Sequence, residues 1–364
     1  MLYLLRHLEG VFGPFRLFGF WSFRSMGAFV TALAVGIVFG PWIIHLLRRH
    51  GAREQGRTFG GLAVASKEGT PTMGGILILA SLFAASLLWC DLANQQVRIV
   101  LAAALYFGAI GAFDDALKIR HRSSERGLPR HWKYAAQIAF GGLVGVLFLT
   151  EPSSPYDLRV ARTLTLPLWN KGIYLGYGYI AFCVVFMVLA SNSVNLTDGL
   201  DGLAITPAMF VAAVLGVFAL VVGDPELAKE LRFRHLPGCG ELVVFASALV
   251  GAGAGFLWFN CHPASVFMGD TGSLALGGIL GVLALLVKQE VVFFIAGGIF
   301  VVEAGSSFIQ DYIGLKLLGR RIFFRAPYHH SLMHQGYSET KVTVRFWIIS
   351  AIFAVMALAT LKLR

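Results

Sequence analysis

Eight consecutive residues, Asn195, Leu196, Thr197, Asp198, Gly199, Leu200, Asp201 and Gly202, put two carboxylates, a carboxamide and two glycines between stretches apolar enough to cross a bilayer. An ionisable group at membrane depth costs roughly 3 kcal/mol unless a partner, water or metal compensates it, so the run reads as a functional site; a solvated turn between helices is the alternative. Related residues recur along the chain. Asp114 and Asp115 end another apolar stretch, Asp270 opens a third, and His329 and His330 precede a fourth. Five carboxylates brought together repel one another unless a cation sits among them or several are protonated. Oxygen-only ligands suit Mg²⁺ or Mn²⁺, and magnesium commonly takes one or two carboxylates, leaving its other positions to water and substrate phosphate. Neighbouring residues on a helix diverge by about 100°, so Asp114 and Asp115 do not readily grip one ion together: one can bind metal while the other orients a neighbour or acts as a base.

A second set of residues suits a nucleotide. Lys67, Glu68, Gly69, Thr70, Pro71, Thr72, Met73, Gly74 and Gly75 lead into an apolar stretch with a lysine, two threonine hydroxyls and glycines that permit close backbone approach. A helix beginning there presents free N–H groups to an anion. The spacing is not that of a P-loop, and a tight loop with small-residue helix packing accounts for it equally well. Phe267 stands three residues before Asp270, where its ring could stack on a base, although packing or lipid contact is the commoner fate of one phenylalanine among 30. His329 and His330 could pair with phosphate or carry protons.

The elements that position these groups are membrane helices. With 57% apolar and 14% charged residues in 364, the chain reads as an integral, all-α polytopic membrane protein. Ten mostly apolar windows recur, near 26–47, 73–90, 99–117, 132–150, 172–192, 203–223, 241–259, 265–287, 290–318 and 343–362. They are too long for the strands of a barrel, and they make one membrane domain with no internal repeat. No removable signal peptide is expected, because the first 25 residues carry Arg6, Arg16 and Arg24 without a long apolar core. If the amino terminus is outside, the inner loops hold sixteen Lys and Arg against eight in the outer ones, which favours both termini outside. That orientation carries all five carboxylates and both histidines to the cytoplasmic face. The net charge of +10 lies in short loops flanking spans, so it reads as a topology determinant near anionic lipid rather than a nucleic-acid surface. Cys90, Cys183, Cys239 and Cys261 show neither a zinc spacing nor a disulfide frame.

Taken together, GTPTMGG at 69–75, FDD at 113–115, NLTDGLDG at 195–202, GFLWFN at 255–260, FMGDTGSLALGG at 267–278 and VRFWIIS at 344–350 resemble the phospho-N-acetylmuramoyl-pentapeptide transferases. The resemblance runs from near residue 20 to the carboxyl terminus. These enzymes are ten-span members of the polyprenyl-phosphate N-acetylhexosamine-1-phosphate transferases of the bacterial inner membrane. It implies transfer of phospho-MurNAc-pentapeptide from its UDP carrier to undecaprenyl phosphate, giving lipid I and UMP with Mg²⁺, by a protein that commonly forms homodimers. The family's essential acids fall on Asp114, Asp115 and Asp270, with Asp270 the implied metal ligand. Asn195, Asp198 and Asp201 match its nucleotide loop. Lys67, Thr72, Asn260, Phe267 and Gln310 match positions lining the nucleoside or diphosphate pocket, and Lys118 and Lys133 match basic residues near the carrier phosphate. His329, implied to be catalytic, and His330 match two members of a three-histidine motif whose third position is Ser331 here, with His334 as the only nearby substitute.

Phosphoryl transfer asks for positioning, charge neutralisation and an in-line nucleophile. The expected nucleophile is an oxygen of undecaprenyl phosphate, with Asp114 or Asp115 holding or deprotonating it; attack by an aspartate, giving a phospho-enzyme, is the rival course. Two other functions compete. One is a transferase for UDP-GlcNAc or another UDP-HexNAc. The other is a cation-coupled transporter, which is expected to place its binding groups near the bilayer midplane between two related halves.

Overall fold

The computed structural model describes residues 1–52, 58–59, 62–63, 69–123, 126–151, 154–167 and 169–362. After two short 3₁₀ turns the chain enters α1 (Trp21–Arg49), followed by the small β1 (Thr58–Phe59) and β2 (Leu62–Ala63) pair. Next come α2 (Gly75–Trp89), α3 (Gln95–Arg120) and α4 (Arg130–Leu149). The Asn94 side chain starts α3 by accepting a hydrogen bond from Val97 N at 3.1 Å, which satisfies an amide that lacks an intrahelical partner. A short α5 (Leu158–Ala161) precedes an antiparallel hairpin of β3 (Thr163–Leu166) and β4 (Trp169–Tyr174). Then follow α6 (Gly178–Thr197), α7 (Ile205–Gly223), α8 (Pro225–Glu230), α9 (Glu241–Asn260) and α10 (Gly269–Val287). The chain finishes with α11 (Glu290–Ala296), α12 (Gly298–Phe308), a π-helical continuation over Ile309–Leu317, α13 (Tyr328–His334) and α14 (Glu339–Ala359).

The protein is thus an all-α polytopic membrane protein. Among the described residues eight helices are long and apolar enough to cross a bilayer. The window at 290–318 is not one straight rod: it is bent by 84° where Gly297 ends α11 and begins α12, and it makes a ninth span only if the two pieces are counted together. The window at 73–90 holds α2, which with 15 residues falls short of the usual spanning length.

At the centre stands α10, whose apolar window is 94% buried inside the protein, so it meets protein on every side rather than lipid. Small residues permit this crowding. A Cβ on Gly111 of α3 would lie 2.1 Å from Asp270 O, one on Gly75 of α2 would lie 2.1 Å from Gly272 N, and one on Gly277 would lie 2.6 Å from Ala190 O of α6. Each glycine therefore lets two backbones approach closer than any side chain allows, the packing mode that replaces the hydrophobic drive within a membrane.

Buried charge holds the opposite ends of α9 and α10 from the acidic centre described below. Arg24 in α1 donates to Glu241 at the start of α9 at 2.8 Å, and the same carboxylate accepts from Trp21 Nε1 at 3.0 Å and Asp91 N at 3.1 Å. Lys288 pairs with Glu290 at 3.0 Å and donates to the Tyr179 hydroxyl at 2.7 Å. Removing one member of such a pair strands the other in a dry site, a cost of about 3–5 kcal/mol. Glu241→Ala is accordingly expected to lower the thermal unfolding midpoint in detergent by several degrees, with Glu241→Gln intermediate. An unchanged midpoint would show that water, not Glu241, satisfies Arg24.

Candidate active site

The centre is assembled where α3 and α10 meet. Asp115, 3% exposed, lies in α3 but caps α10: its carboxylate accepts from Asp270 N at 3.1 Å, Thr271 N at 2.9 Å and Thr271 Oγ1 at 2.7 Å. Free amides at a helix start favour a carboxylate, and here it comes from a neighbouring helix. Asp115 thereby fixes the backbone that carries Asp270.

One residue earlier, Asp114 points a different way, as the helical phase requires. It is fully buried, and its Oδ1 accepts from Leu128 N at 2.6 Å, which folds the α3–α4 loop back onto α3. Its Oδ2 lies 2.6 Å from Lys118 Nζ and 2.9 Å from Lys133 Nζ. The same two ammonium groups approach Asp270 Oδ2, Lys133 at 2.6 Å and Lys118 at 3.2 Å. Asp270 Oδ1 accepts from Asn195 Nδ2 at 3.1 Å, and Asn195 also donates to Ser273 Oγ at 2.8 Å. Asp114, Asp115, Asp270, Lys118, Lys133 and Asn195, drawn from α3, α4, α6 and α10, therefore form one group. Formally it holds three carboxylates against two ammonium ions, and the two lysine side chains keep about a fifth of their surface open.

Oxygen atoms of Asp114, Asp115 and Asp270 lie within 4.8 Å of one another, so the three could hold a metal ion. The donor set is all carboxylate oxygen, which fits Mg²⁺ or Mn²⁺. Both oxygens of Asp115 are held by donors of α10 itself, whereas Oδ2 of Asp270 and Oδ2 of Asp114 meet the two partly open lysine side chains, which can move aside for a cation.

Beside this group the turn after α6 is held from three directions. Asp201, 4% exposed, accepts from His262 Nδ1 and Ala264 N, each at 3.1 Å, while its own N–H donates to Glu339 Oε1 at 2.9 Å. Gly202 N donates to Asn260 Oδ1 at 3.0 Å, Asn260 donates on to Val266 O at 2.9 Å, and Trp347 Nε1 donates to Gly202 O at 3.0 Å. Asn260 is thus a buried brace between the α6–α7 turn and the approach to α10. Asp198, half-buried, stands at the end of α6. His262 and Glu339, which sequence reasoning missed, complete with Asp201 a second group whose ligand atoms could hold a metal.

The GTPTMGG segment is paired along its length with the start of α10. Phe267 N donates to Pro71 O at 2.8 Å, Gly74 N to Phe267 O at 2.8 Å and Gly75 N to Met268 O at 2.9 Å. The amides that begin α2 are therefore not free for an anion at Gly74 and Gly75, and at these two glycines close packing is the correct reading. Thr72 is half-buried, with its N–H on Ala52 O at 2.8 Å, and Phe267 is half-buried as well. Lys67 lies outside the described residues. Gln310, 5% exposed, accepts from Ile322 N at 3.1 Å and Phe323 N at 3.0 Å, so its carbonyl shapes the loop before α13.

His329 is fully buried. Its ring Nδ1 lies 2.7 Å from Glu303 Oε2 and its backbone N–H donates to Glu303 Oε1 at 3.1 Å, while its Nε2 has no hydrogen-bond partner among the described residues. That Nε2 abuts the α6–α7 turn: a Cβ on Gly199 would lie 2.2 Å from it. The His330 ring lies tilted beside it, ring centroids 4.1 Å apart and planes inclined by 52°. Ser331, at the position of the third motif histidine, accepts from Arg325 N at 3.0 Å and donates back to Arg325 O, closing the loop around Pro327. His334 does not take its place, being exposed with its ring against Phe324. Glu303 was missed because it sits in an apolar window; that a carboxylate stands there at all was the available signal.

A family model, glycosyl transferase family 4, matches residues 97–288, and the phospho-N-acetylmuramoyl-pentapeptide-transferase signature 1 matches residues 67–79. The first region contains Asp114, Asp115, Lys118, Lys133, Asn195 and Asp270, and the second contains the segment paired to the start of α10. Because the family model covers more than half of the sequence, the chain belongs to glycosyl transferase family 4, as a phospho-N-acetylmuramoyl-pentapeptide transferase.

Proposed function

We propose that this protein transfers phospho-MurNAc-pentapeptide from UDP-MurNAc-pentapeptide to undecaprenyl phosphate, forming lipid I and UMP, at the cytoplasmic face of a bacterial inner membrane. The observation that carries the reading is the joining of Asp114 and Asp270 through Lys118 and Lys133 at one end of α10. Groups gathered at a helix end, rather than near the midplane, suit an acceptor whose phosphate lies at the membrane surface and a donor arriving from water. The positive-inside bias favours that end in the cytoplasm and both termini outside. A homodimer is the expected assembly, and no nucleic acid is involved.

Asp270, with Asp114, is the place for Mg²⁺, which when bound supplies neutralising charge to the diphosphate. The side chains do the rest. Lys118 and Lys133 leave their carboxylate partners in part to receive the phosphate of undecaprenyl phosphate, and Asn195 keeps the Asp270 carboxylate turned toward them. One oxygen of the lipid phosphate attacks the sugar-proximal phosphorus; the new P–O bond forms as the bond to the UMP oxygen breaks, and UMP leaves with that electron pair. A phosphate monoester is largely dianionic near neutral pH, with a second pKa of about 6, so the step needs no strong base. The rival in which an aspartate attacks first is disfavoured at Asp115, whose carboxylate is engaged by three donors from α10; for Asp114 and Asp270 the reaction without lipid decides.

Purified protein with Mg²⁺ and undecaprenyl phosphate is expected to give a lipid-linked product and UMP from UDP-MurNAc-pentapeptide and none from UDP-GlcNAc. With the lipid omitted, no UMP is expected. Product from UDP-GlcNAc alone would transfer the protein to the UDP-HexNAc alternative, and a burst of UMP equal to the enzyme would establish the phospho-enzyme route.

A further inference from the structure

We propose that Glu303 is a positioning residue for this reaction, holding His329 in the one tautomer and orientation that present its Nε2 to the nucleotide-sugar at the Asp198–Gly199 turn. The inference rests on the reading of His329 as part of the active site.

Glu303 lies in α12, in the helix pair bent at Gly297, and is fully buried. Both of its carboxylate oxygens engage one residue. Oε1 accepts from the His329 backbone N–H at 3.1 Å, and Oε2 lies 2.7 Å from His329 Nδ1. Two contacts to the same residue fix the start of α13 and the plane of the ring together. A carboxylate oxygen accepts, so Nδ1 carries a ring proton, and in the neutral imidazole Nε2 then carries the lone pair. This is the logic by which a buried carboxylate sets the tautomer of a working histidine.

What distinguishes this from a satisfied core histidine is the other nitrogen. Nε2 has no hydrogen-bond partner among the described residues although the residue is fully buried. A buried polar atom without a partner is uncommon and calls for a reason. It faces a glycine: any side chain at position 199 would collide with Nε2, a Cβ there lying 2.2 Å away. Gly199 belongs to the turn whose neighbours Asn195 and Asp201 are tied to Asp270 and Glu339. A shift of this turn opens Nε2 to a hydroxyl or N–H of the nucleotide portion, whose hydrogen it accepts. Glu303 touches no substrate and acts only through His329.

The test is a double-mutant cycle on full-length protein, with Glu303→Ala, His329→Ala and the double variant assayed with UDP-MurNAc-pentapeptide, undecaprenyl phosphate and Mg²⁺. Glu303→Ala is expected to raise KM for the nucleotide-sugar on the order of tenfold and to leave KM for the lipid unchanged. In the His329→Ala background it is expected to add nothing, because residues that act as a unit are not additive. Glu303→Gln, which can accept only one of the two hydrogens, is expected to fall between. A readout independent of turnover is the ¹⁵N spectrum of histidine-labelled protein, with His329→Ala assigning the peak: the Nδ1–H form in the wild type and a mixture of tautomers in Glu303→Ala.

Full additivity in the cycle, or an unchanged tautomer in Glu303→Ala, would overturn the positioning role while leaving His329 in the site. Wild-type kinetics in His329→Ala would instead overturn the reading beneath it, and the inference with it. Should Glu303→Ala fold poorly, Glu303→Gln and the tautomer measurement decide in its place.

Discussion

Asp270→Asn is expected to lower kcat about a thousandfold, the scale seen when one preorganised electrostatic contact to a phosphoryl or oxyanion group is removed. The substitution keeps the size and shape of the side chain and removes one charge. Its consequences follow from the contacts of the two carboxylate oxygens. Oδ2 lies 2.6 Å from Lys133 and 3.2 Å from Lys118, and Oδ1 receives Asn195 at 3.1 Å. An amide can keep one of these faces but not both: with its NH₂ toward the lysines it repels them, and with its NH₂ toward Asn195 it meets another donor. The formal balance of three carboxylates against two ammonium ions falls to two against two, which removes the excess negative charge that draws a divalent cation. Mg²⁺ titration of the variant is therefore expected to show little rise in activity up to concentrations that saturate the wild type. Stability should change little, since both lysines keep Asp114 as a partner and a path to water. A kcat within tenfold of wild type, in folded protein, would remove Asp270 from the chemistry.

The different roles of Asp114 and Asp115 have a cause that the sequence does not carry. Adjacent aspartates at the end of an apolar window announce a polar site, and helical phase says that they diverge. Which one faces the lysines depends on where α10 lies, and that is a tertiary fact. The gathering of Asp114, Asp115, Asn195 and Asp270 was legible, because the parity of the spans brings all four to one face. Their division of labour was not. The same limit explains GTPTMGG, whose glycines in sequence suit anion binding and close packing equally; the hydrogen bonds to residues 267 and 268 decide between them.

Hydropathy likewise reads composition along a line and is blind to direction. The window at 290–318 looks continuous because Gly297 and Gly298 are apolar enough to pass, yet the chain bends there by 84°. Glu303 was hidden in that window by its neighbours Val301, Val302 and Ala304. Its contact with His329 spans 26 positions and depends on the bend and on the loop that Gln310 and Ser331 shape. Local pattern carries no trace of such a contact.

Gly111→Ala is expected to cost about a hundredfold in kcat although residue 111 has no chemistry. The added methyl would sit 2.1 Å from Asp270 O, 2.5 Å from Asp270 C and 2.6 Å from Thr271 Cα. All three are backbone atoms of the buried start of α10, so no side chain can swing aside. Either α10 moves away from α3 or the substitution is not accommodated; overpacking of this kind costs about 1–3 kcal/mol. Moving α10 pulls Asp270 N and Thr271 N from the Asp115 carboxylate and opens the distance from Asp114 to Asp270, both of which the lysines now bridge. A displacement near 1 Å at reacting groups is enough for a loss of about a hundredfold. Gly108→Ala is the control on the same face of α3, because its Cβ would meet Leu79 Cδ1, the far end of a flexible side chain, at 2.5 Å. It is expected to keep most of the activity. Equal losses in both variants would mean that α3 is sensitive to crowding anywhere along this face; a selective loss at position 111 is what the α3–α10 contact demands, since only there does a methyl group push on the backbone that carries the carboxylate.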